Sequence, residues 1–508
     1  MNSMIIACAL LILMWAWRLL DWLWFKPKKL ERYLRQQGLA GNSYRLFYGD
    51  LKERTAITRE ALSKTLKISD YNVPRVLPYI HHLTQKYGKN SFTWQGPVPC
   101  MIVMDPKLIK EVLSKHDVFQ KRHIPLGKLF LNAVANLEGE EWFKRRKLVN
   151  SAFYIEKLKH IVPAVHLSCE EMISSWEKLL EDQELTELDV NLYLGALSAD
   201  IIARAAFGSN YEEGKKIFEL QQEQFKLVLK VLQSIPGQIP AWRFLPTKTN
   251  KRMREISKEM YTILRGIIHK REMEIAKADD LLGMLMESNS KEIEENNSKK
   301  SGLSIDDIVE ECKEFFFAGQ GTTQFTLTWV MILLSSHSYW QTKAREEVLQ
   351  VFGKNKPEFD GLNDLKIITM ILYEAIRLYP VASDAIRKVC KTTKLGDMTL
   401  PAGVLLALPT IQVHQDPEIW GKDAKEFNPE RFSSGVSNAS KGQSAFFGFG
   451  WGPRTCIGQN FAMVEAKLAL AMILQHFSFE LSPSYTHAPM ALVHTIPQYG
   501  AQLILQKV

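Results

Sequence analysis

Phe449-Gly450-Trp451-Gly452-Pro453-Arg454-Thr455-Cys456-Ile457-Gly458 sets one cysteine among glycines, aromatic rings and a single arginine. The glycines permit tight turns and let backbone approach a flat ligand closely. A thiolate at Cys456 is a candidate metal ligand, and backbone N–H groups aimed at its sulfur would temper its electron donation. Arg454 offers a fixed cation to an anionic group on that ligand. Gln459 to Leu470 reads as a helix, whose N-terminal dipole favours a thiolate just ahead of it. A structural cysteine buried in a glycine-rich turn is the plain alternative.

Three motifs upstream bear on that choice. Ser304 to Ser335 is a long helical run with Ser304 and Asp307 as its cap. At its centre stand Ala318-Gly319-Gln320-Gly321-Thr322-Thr323. Each mid-helix glycine costs about 1 kcal/mol against alanine, which points to close approach of something flat or to a local opening. Glu374 and Arg377, at i and i+3 on a further helix, are followed by Pro429-Glu430-Arg431-Phe432. Trp142 and Arg146 share a face of the helix Gly139 to Val149. The cysteine loop fits F-x-x-G-x-R-x-C-x-G at every fixed position. With the other motifs in order, the chain from Lys26 to Val508 resembles the cytochrome P450 family, the haem-thiolate monooxygenases.

The resemblance implies a mainly α fold with small β-sheets behind an N-terminal transmembrane helix. It implies haem b, with Cys456 as iron ligand, Phe449 and Gly458 in the haem loop, and Trp142, Arg146, Arg387 and Arg454 at the propionates. Ala318 and Gly319 would let the long helix pass over the haem, and Thr322 and Thr323 would serve oxygen activation. The family pattern A-G-x-(D/E)-T-T is broken at Gly321, which removes a carboxylate usually assigned to proton relay. That break implies either a different proton route or simple drift. Glu374, Arg377 and Arg431 resemble the buried triad that locks the scaffold, and His414, Asp416, Pro417 and Trp420 also look structural. His123, Asn132 and Asn136 in the irregular stretch Lys121 to Asn136, then Asp384, Val493 and His494, are the expected polar or lining contacts to substrate. The family's electron donor is a membrane-bound NADPH-dependent flavoprotein reductase. Lys144, Arg145, Lys147 and Lys441 are candidate contacts for it.

Composition sets the outer limits. The chain has 508 residues, 46% hydrophobic and 24% charged, with a net charge of +8. No basic run is interleaved with aromatics, so a nucleic-acid partner is not expected. The modest positive charge suits an anionic membrane or an acidic partner. Six scattered cysteines (Cys8, Cys100, Cys169, Cys312, Cys390 and Cys456) make no disulfide-like framework, which indicates a reducing compartment. Met4 to Phe25 is apolar and aromatic and long enough to cross a bilayer of about 30 Å. Lys26, Lys28, Lys29 and Arg32 follow it, so the positive-inside rule leaves the rest cytosolic. A cleaved signal peptide fits less well, because no charge precedes the apolar run. The expected division is 1–25 anchor, 26–50 basic linker and 51–508 catalytic domain, single-pass in the endoplasmic reticulum.

Short strands are expected at Ser91–Trp94 and Met101–Met104, and a helix at Pro106–Ser114. Thr186 to Lys300 reads as mostly helical, broken near Pro236, Pro240 and Pro246, with a mobile polar loop over Glu287 to Gly302. The basic segment with Gly41-Asn42-Ser43-Tyr44-Arg45 resembles a plant clan of the family that includes secologanin synthase. The implied reaction is NADPH- and O2-dependent oxidation of a terpenoid, an iridoid such as loganin or loganic acid, by hydroxylation or ring cleavage. A triterpenoid or gibberellin is the alternative substrate. From other classes, a haem-thiolate isomerase or dehydratase and a non-catalytic haem sensor remain. The retained Thr322 and the standard loop length argue against the first, and the complete motif set against the second.

Overall fold

The computed structural model describes residues 2–122, 132–181, 184–208, 211–232, 245–273, 280–298 and 301–508. His123 lies outside them, as do Pro236, Pro240, Lys299 and Lys300. The chain is mainly helical with small sheets, built around Ile305–Ser336. That helix starts at a reciprocal cap: Ser304 accepts from the Asp307 N–H, and the Asp307 carboxylate accepts from Ser304.

Against the long helix packs Val190–Phe207, apolar on nearly every face and correspondingly buried. The two approach closely enough to require glycine on both sides. A Cβ on Gly195 would lie 2.8 Å from Nε2 of Gln324, and one on Gly319 would lie 2.7 Å from Ile202. Gly319 was expected to clear a flat ligand. Its missing side chain makes room for a neighbouring helix as well.

The largest sheet runs Ala40–Gly41, Ser91–Gln95, Val98–Ile102, Leu405–Leu408, Ala385–Val389, Phe119–Lys121. The second expected strand begins earlier than Met101, because Gly96 adopts φ +60° and returns the chain at once, pairing Thr93 with Cys100. Phe119–Lys121 lies antiparallel to Ala385–Val389, which sets Lys121 opposite Arg387.

The N-terminal helix Asn2–Leu20 passes through a π turn, Asp21–Phe25, into Lys26–Gln36. Its apolar run is exposed along its length. Residues 26–50, expected as a linker, are instead tied to the sheet. Leu34, Leu39 and Tyr44 are buried in the core, and the Tyr44 hydroxyl donates to the Leu23 carbonyl at 2.7 Å. Leu30 and Leu34, four apart, form the apolar stripe that docks this helix.

The stretch from Glu287, expected as a loop, is helical to Glu295 within Leu281–Glu295. Asp280 caps it, Leu281, Leu282, Met284 and Leu285 bury one face, and Lys291 pairs with Glu287 at 2.7 Å on the other. Its polarity marks a solvated face rather than a loop.

Candidate active site

The cysteine loop is shaped by its glycines. Gly450 and Gly452 hold φ of +79° and +71°, and a Cβ on Gly452 would meet the Leu113 carbonyl at 3.0 Å. The Cys456 N–H donates to the Phe449 carbonyl at 2.8 Å, and Gly458 leads into the helix Gln459–His476. Cys456 is exposed at the surface of the loop, yet its thiol is closely surrounded by protein. Burial pushes its thiol up, while the Gly458 N–H and the Arg146 charge pull it down. Among the other cysteines, Cys100, Cys169 and Cys312 are buried, and their thiols are pushed up by desolvation.

Cations converge beside this loop. Arg146 donates to the Thr455 carbonyl at 2.8 Å. Arg454 stacks on Trp142 with its guanidinium 4.3 Å from the ring, pairs with Glu138 and donates to the Leu137 carbonyl at 2.7 Å. Its Nε is buried with no hydrogen-bond partner. Burial, then the neighbouring Arg387 charge, pushes Lys121 down to about 8; burial, then Arg454, pushes Arg387 down to about 10. Like charges packed together and desolvated, with an orphaned donor among them, are what a multiply anionic ligand would relieve. Trp142, Arg146, Arg387 and Arg454 were expected here. Lys121 and Glu138 were not, since neither carries a pattern of its own.

On the long helix, Ala318 is exposed, Thr322 is half-buried like most residues of 317–326, and Thr323 is buried. The donor set therefore fits a flat, anionic, iron-bearing haem: a thiol, a cationic cluster and a helix turn of small side chains. The Thr322 hydroxyl donates to the Ala318 carbonyl at 2.6 Å. Thr323 does not share its position. It is buried and donates to Glu465 at 3.0 Å, which removes it from the expected catalytic pair. Gly321 faces the ring of His494.

Glu465 escaped the sequence reading, although a lone carboxyl in the apolar run Phe461–Leu474 was a signal. Burial pushes it up to about 8. The folded chain thus holds a proton at pH 7 that the unfolded chain releases. Stability from this group is complete below the unfolded value, near 4.3, and is lost as pH rises through about 8. Glu465→Gln should flatten the pH dependence of chemical unfolding across that window by up to about 1.4 kcal/mol per pH unit.

The end of the irregular stretch, Asn132 to Ala135, is tied to the same helix. Glu310, Glu311 and Glu314 accept from the backbone N–H groups of Asn132, Val134 and Ala135 at 3.0, 3.1 and 3.0 Å. Arg145, expected as a reductase contact, is buried here and bonds Glu311 at 3.2 Å, Asp307 and the Asn132 carbonyl. It also bonds Glu141 at 3.2 Å, and a desolvated guanidinium spent on four partners is no docking residue. Lys147 pairs with Glu292 at 2.6 Å on the surface, and Lys441 is exposed. Asn136 and Val493 are exposed, and Asp384 is half-buried with burial pushing its carboxyl up.

Behind the loop, Glu374 and Arg377 are fully buried and joined bidentately at 2.7 Å in both arms. Arg377 also donates to the carbonyls of His414, Ala424 and Glu426 at 2.6, 2.5 and 3.1 Å. His414 Nε2 accepts from the Phe447 N–H at 2.8 Å, linking this anchor to the start of the cysteine loop. Arg431 stands further off, its Nε 3.6 Å from Glu374 and its fork on Asp423 at 2.7 Å.

A thiol in a glycine-built loop, cations around it and a run of small, partly exposed side chains on the long helix fit a haem-thiolate enzyme. Sequence comparison agrees over nearly the whole chain. The cytochrome P450 family model matches residues 72–502. Cytochrome P450 72A397 of Kalopanax septemlobus is 55% identical over 498 residues, 97% of this chain and 95% of its own. Cytochrome P450 CYP72A219 of Panax ginseng is 54% identical over 98% of this chain and 97% of its own. Secologanin synthase 1 of Catharanthus roseus is 50% identical over 98% and 96%. The chain belongs to the cytochrome P450 family, in the 72A clan that includes secologanin synthase. It is a haem monooxygenase, and family membership brings with it a reductase partner and a small-molecule substrate.

Proposed function

We propose that this enzyme oxidises an oxygenated plant terpenoid, an iridoid of the loganin or loganic acid type. The observation that carries this reading is the 50% identity, over essentially the full length, to a relative named for making secologanin. Cys456 is the iron ligand, held by the Phe449 carbonyl through its N–H and tempered by Gly458. Lys121, Arg146, Arg387 and Arg454 hold the haem propionates, and Trp142 braces Arg454. The bound haem supplies dioxygen activation and oxidation of a C–H bond. Thr322 offers a hydroxyl to the oxygen side, with the Ala318 carbonyl orienting it. Glu374, Arg377 and Arg431 are structural. The exposed apolar helix ahead of Lys26, Lys28, Lys29 and Arg32 anchors the enzyme in the endoplasmic reticulum, catalytic part in the cytosol.

A spectral titration of the purified haem protein tests the substrate. Loganin or loganic acid should shift the Soret band from low to high spin, and turnover with reductase and NADPH should give hydroxylated or ring-opened product. A shift with a triterpenoid acid or a gibberellin, and none with either iridoid, moves the assignment to that class.

A further inference from the structure

Trp329 stands seven residues past Thr322, which carries it about 10 Å further along the long helix on nearly the same face. Tyr379, the residue that ends the helix Lys366–Leu378, stacks on its indole with ring centroids 4.1 Å and planes 9° apart. The Tyr379 hydroxyl meets Nε2 of His487 at 3.2 Å, and the Tyr485 hydroxyl meets Nδ1 of the same ring at 2.9 Å. Trp329, Tyr379 and His487 are buried, and Tyr485 is half-buried. Three segments remote in the chain thus form one line from the long helix towards the surface.

Packing alone does not call for this line. Phenylalanine at 379 and 485 with an aliphatic residue at 487 would fill the same space without burying three polar groups. What the hydroxyls and the imidazole add is a place for a proton. An electron passes readily between stacked rings, but a buried phenol that lost one and kept its proton would be an unsolvated cation. Its proton has to move at the same time. Burial, then the Arg75 charge, pushes His487 down to about 4, so its ring is neutral at pH 7, with one N–H and one bare nitrogen. One phenol therefore donates to the ring while the other accepts from it. Burial pushes both phenols up, so neither has lost its proton beforehand.

Tyr44 and Trp94 lack that feature. Their ring centroids are 4.8 Å apart, but the Tyr44 hydroxyl donates to the Leu23 carbonyl, which is no base.

We propose that Trp329, Tyr379, His487 and Tyr485 form a path that carries oxidising equivalents unspent on substrate from the haem site to the surface, protecting the enzyme when substrate is absent. Each pass moves one electron inward. Trp329 gives an electron to the oxidised site and takes one from Tyr379, whose O–H bond breaks as its proton goes to Nε2 of His487. Tyr485 then gives an electron to Tyr379, the proton returns from Nε2, and Tyr485 releases its own phenolic proton to water. A thiol or an enediol in solvent gives Tyr485 a hydrogen atom, and two thiols so oxidised close a disulfide. The path rests on the haem chemistry of the family and is independent of which terpenoid is the substrate.

Substrate-free holoenzyme treated with m-chloroperbenzoic acid tests it. Freeze-quenched samples should show a tyrosyl radical by electron paramagnetic resonance, and ascorbate should erase that signal and slow the loss of the Soret band. Tyr379→Phe, which keeps the stacked ring and removes the hydroxyl, should lose the signal and bleach the haem several-fold faster, with no protection by ascorbate. Tyr485→Phe should leave a radical that ascorbate removes several-fold more slowly. Tyr44→Phe should match the parent. The reduced carbonyl spectrum reports whether each variant is folded around its haem, and if Tyr379→Phe takes up none, Tyr485→Phe decides alone. A parent without a tyrosyl signal, a signal that survives Tyr379→Phe, or a Tyr44→Phe enzyme that behaves like Tyr379→Phe would each overturn the path. Decay of the signal at the parent's rate in Tyr485→Phe removes the exit at the surface, and the proposal falls with it.

Discussion

Cys456→Ser should fold normally and lose the chemistry. The bond that fixes the residue, from its N–H to the Phe449 carbonyl at 2.8 Å, uses no sulfur, and the left-handed turns at Gly450 and Gly452 are untouched. Unfolding free energy of the apoprotein should therefore stay within about 1 kcal/mol of the parent. The reduced carbonyl complex should lack the absorbance of thiolate ligation, because a hydroxyl does not supply a thiolate's electron density to iron. NADPH-dependent product should fall below detection. Retention of the thiolate carbonyl band would place the ligand on another cysteine. Cys100, Cys169 and Cys312 are buried, and Cys390 lies on the surface just after the strand Ala385–Val389, so each would require rearrangement.

Arg377→Leu should do the reverse and destroy the scaffold before the chemistry. Glu374 would keep an unexposed carboxylate with only the more distant Arg431, at 3.6 Å, as counter-ion, and the carbonyls of His414, Ala424 and Glu426 would lose a donor. Breaking such a buried pair costs about 3–5 kcal/mol, a large share of the roughly 5–15 kcal/mol that holds a domain folded. Most of the expressed protein should be recovered without haem, and the remainder should unfold at lower denaturant. Arg431→Leu should cost clearly less, since Arg431 stands 3.6 Å from Glu374 and its fork rests on the partly exposed Asp423. Denaturant midpoints and haem content of the two variants give the order. A larger loss at Arg431 would mean that the Asp423 contacts, not the bidentate pair, carry the anchor.

Much of this was legible in the chain because it is local. The cysteine loop needs glycines at fixed places, and they stand there in sequence. The cap of the long helix is three residues wide, and Glu374 with Arg377 spans one helical turn, so spacing alone pairs them. The apolar run before Lys26 declares itself by length. The errors fell where polarity was read without partners. Glu287–Glu295 looked like a loop because its solvated face dominates the composition, while the buried face begins before it at Leu281. Arg145 looked like a surface cation because its partners Asp307 and Glu311 lie on a helix far along the chain.

The sequence by itself determined the haem-thiolate loop, the long helix with its small central residues, the apolar N-terminal helix and the family to which they belong. Each of these is set by short-range backbone geometry or by length and polarity. Tertiary structure alone decided which member of a motif does what. Gly319 receives Ile202, Thr323 turns to Glu465, Lys121 joins Arg387 across two strands, and Gly321 seats His494. Residues adjacent in a helix point about 100° apart, so neighbours in one motif meet different parts of the fold. Which part each one meets is set by packing between segments that are remote in the chain.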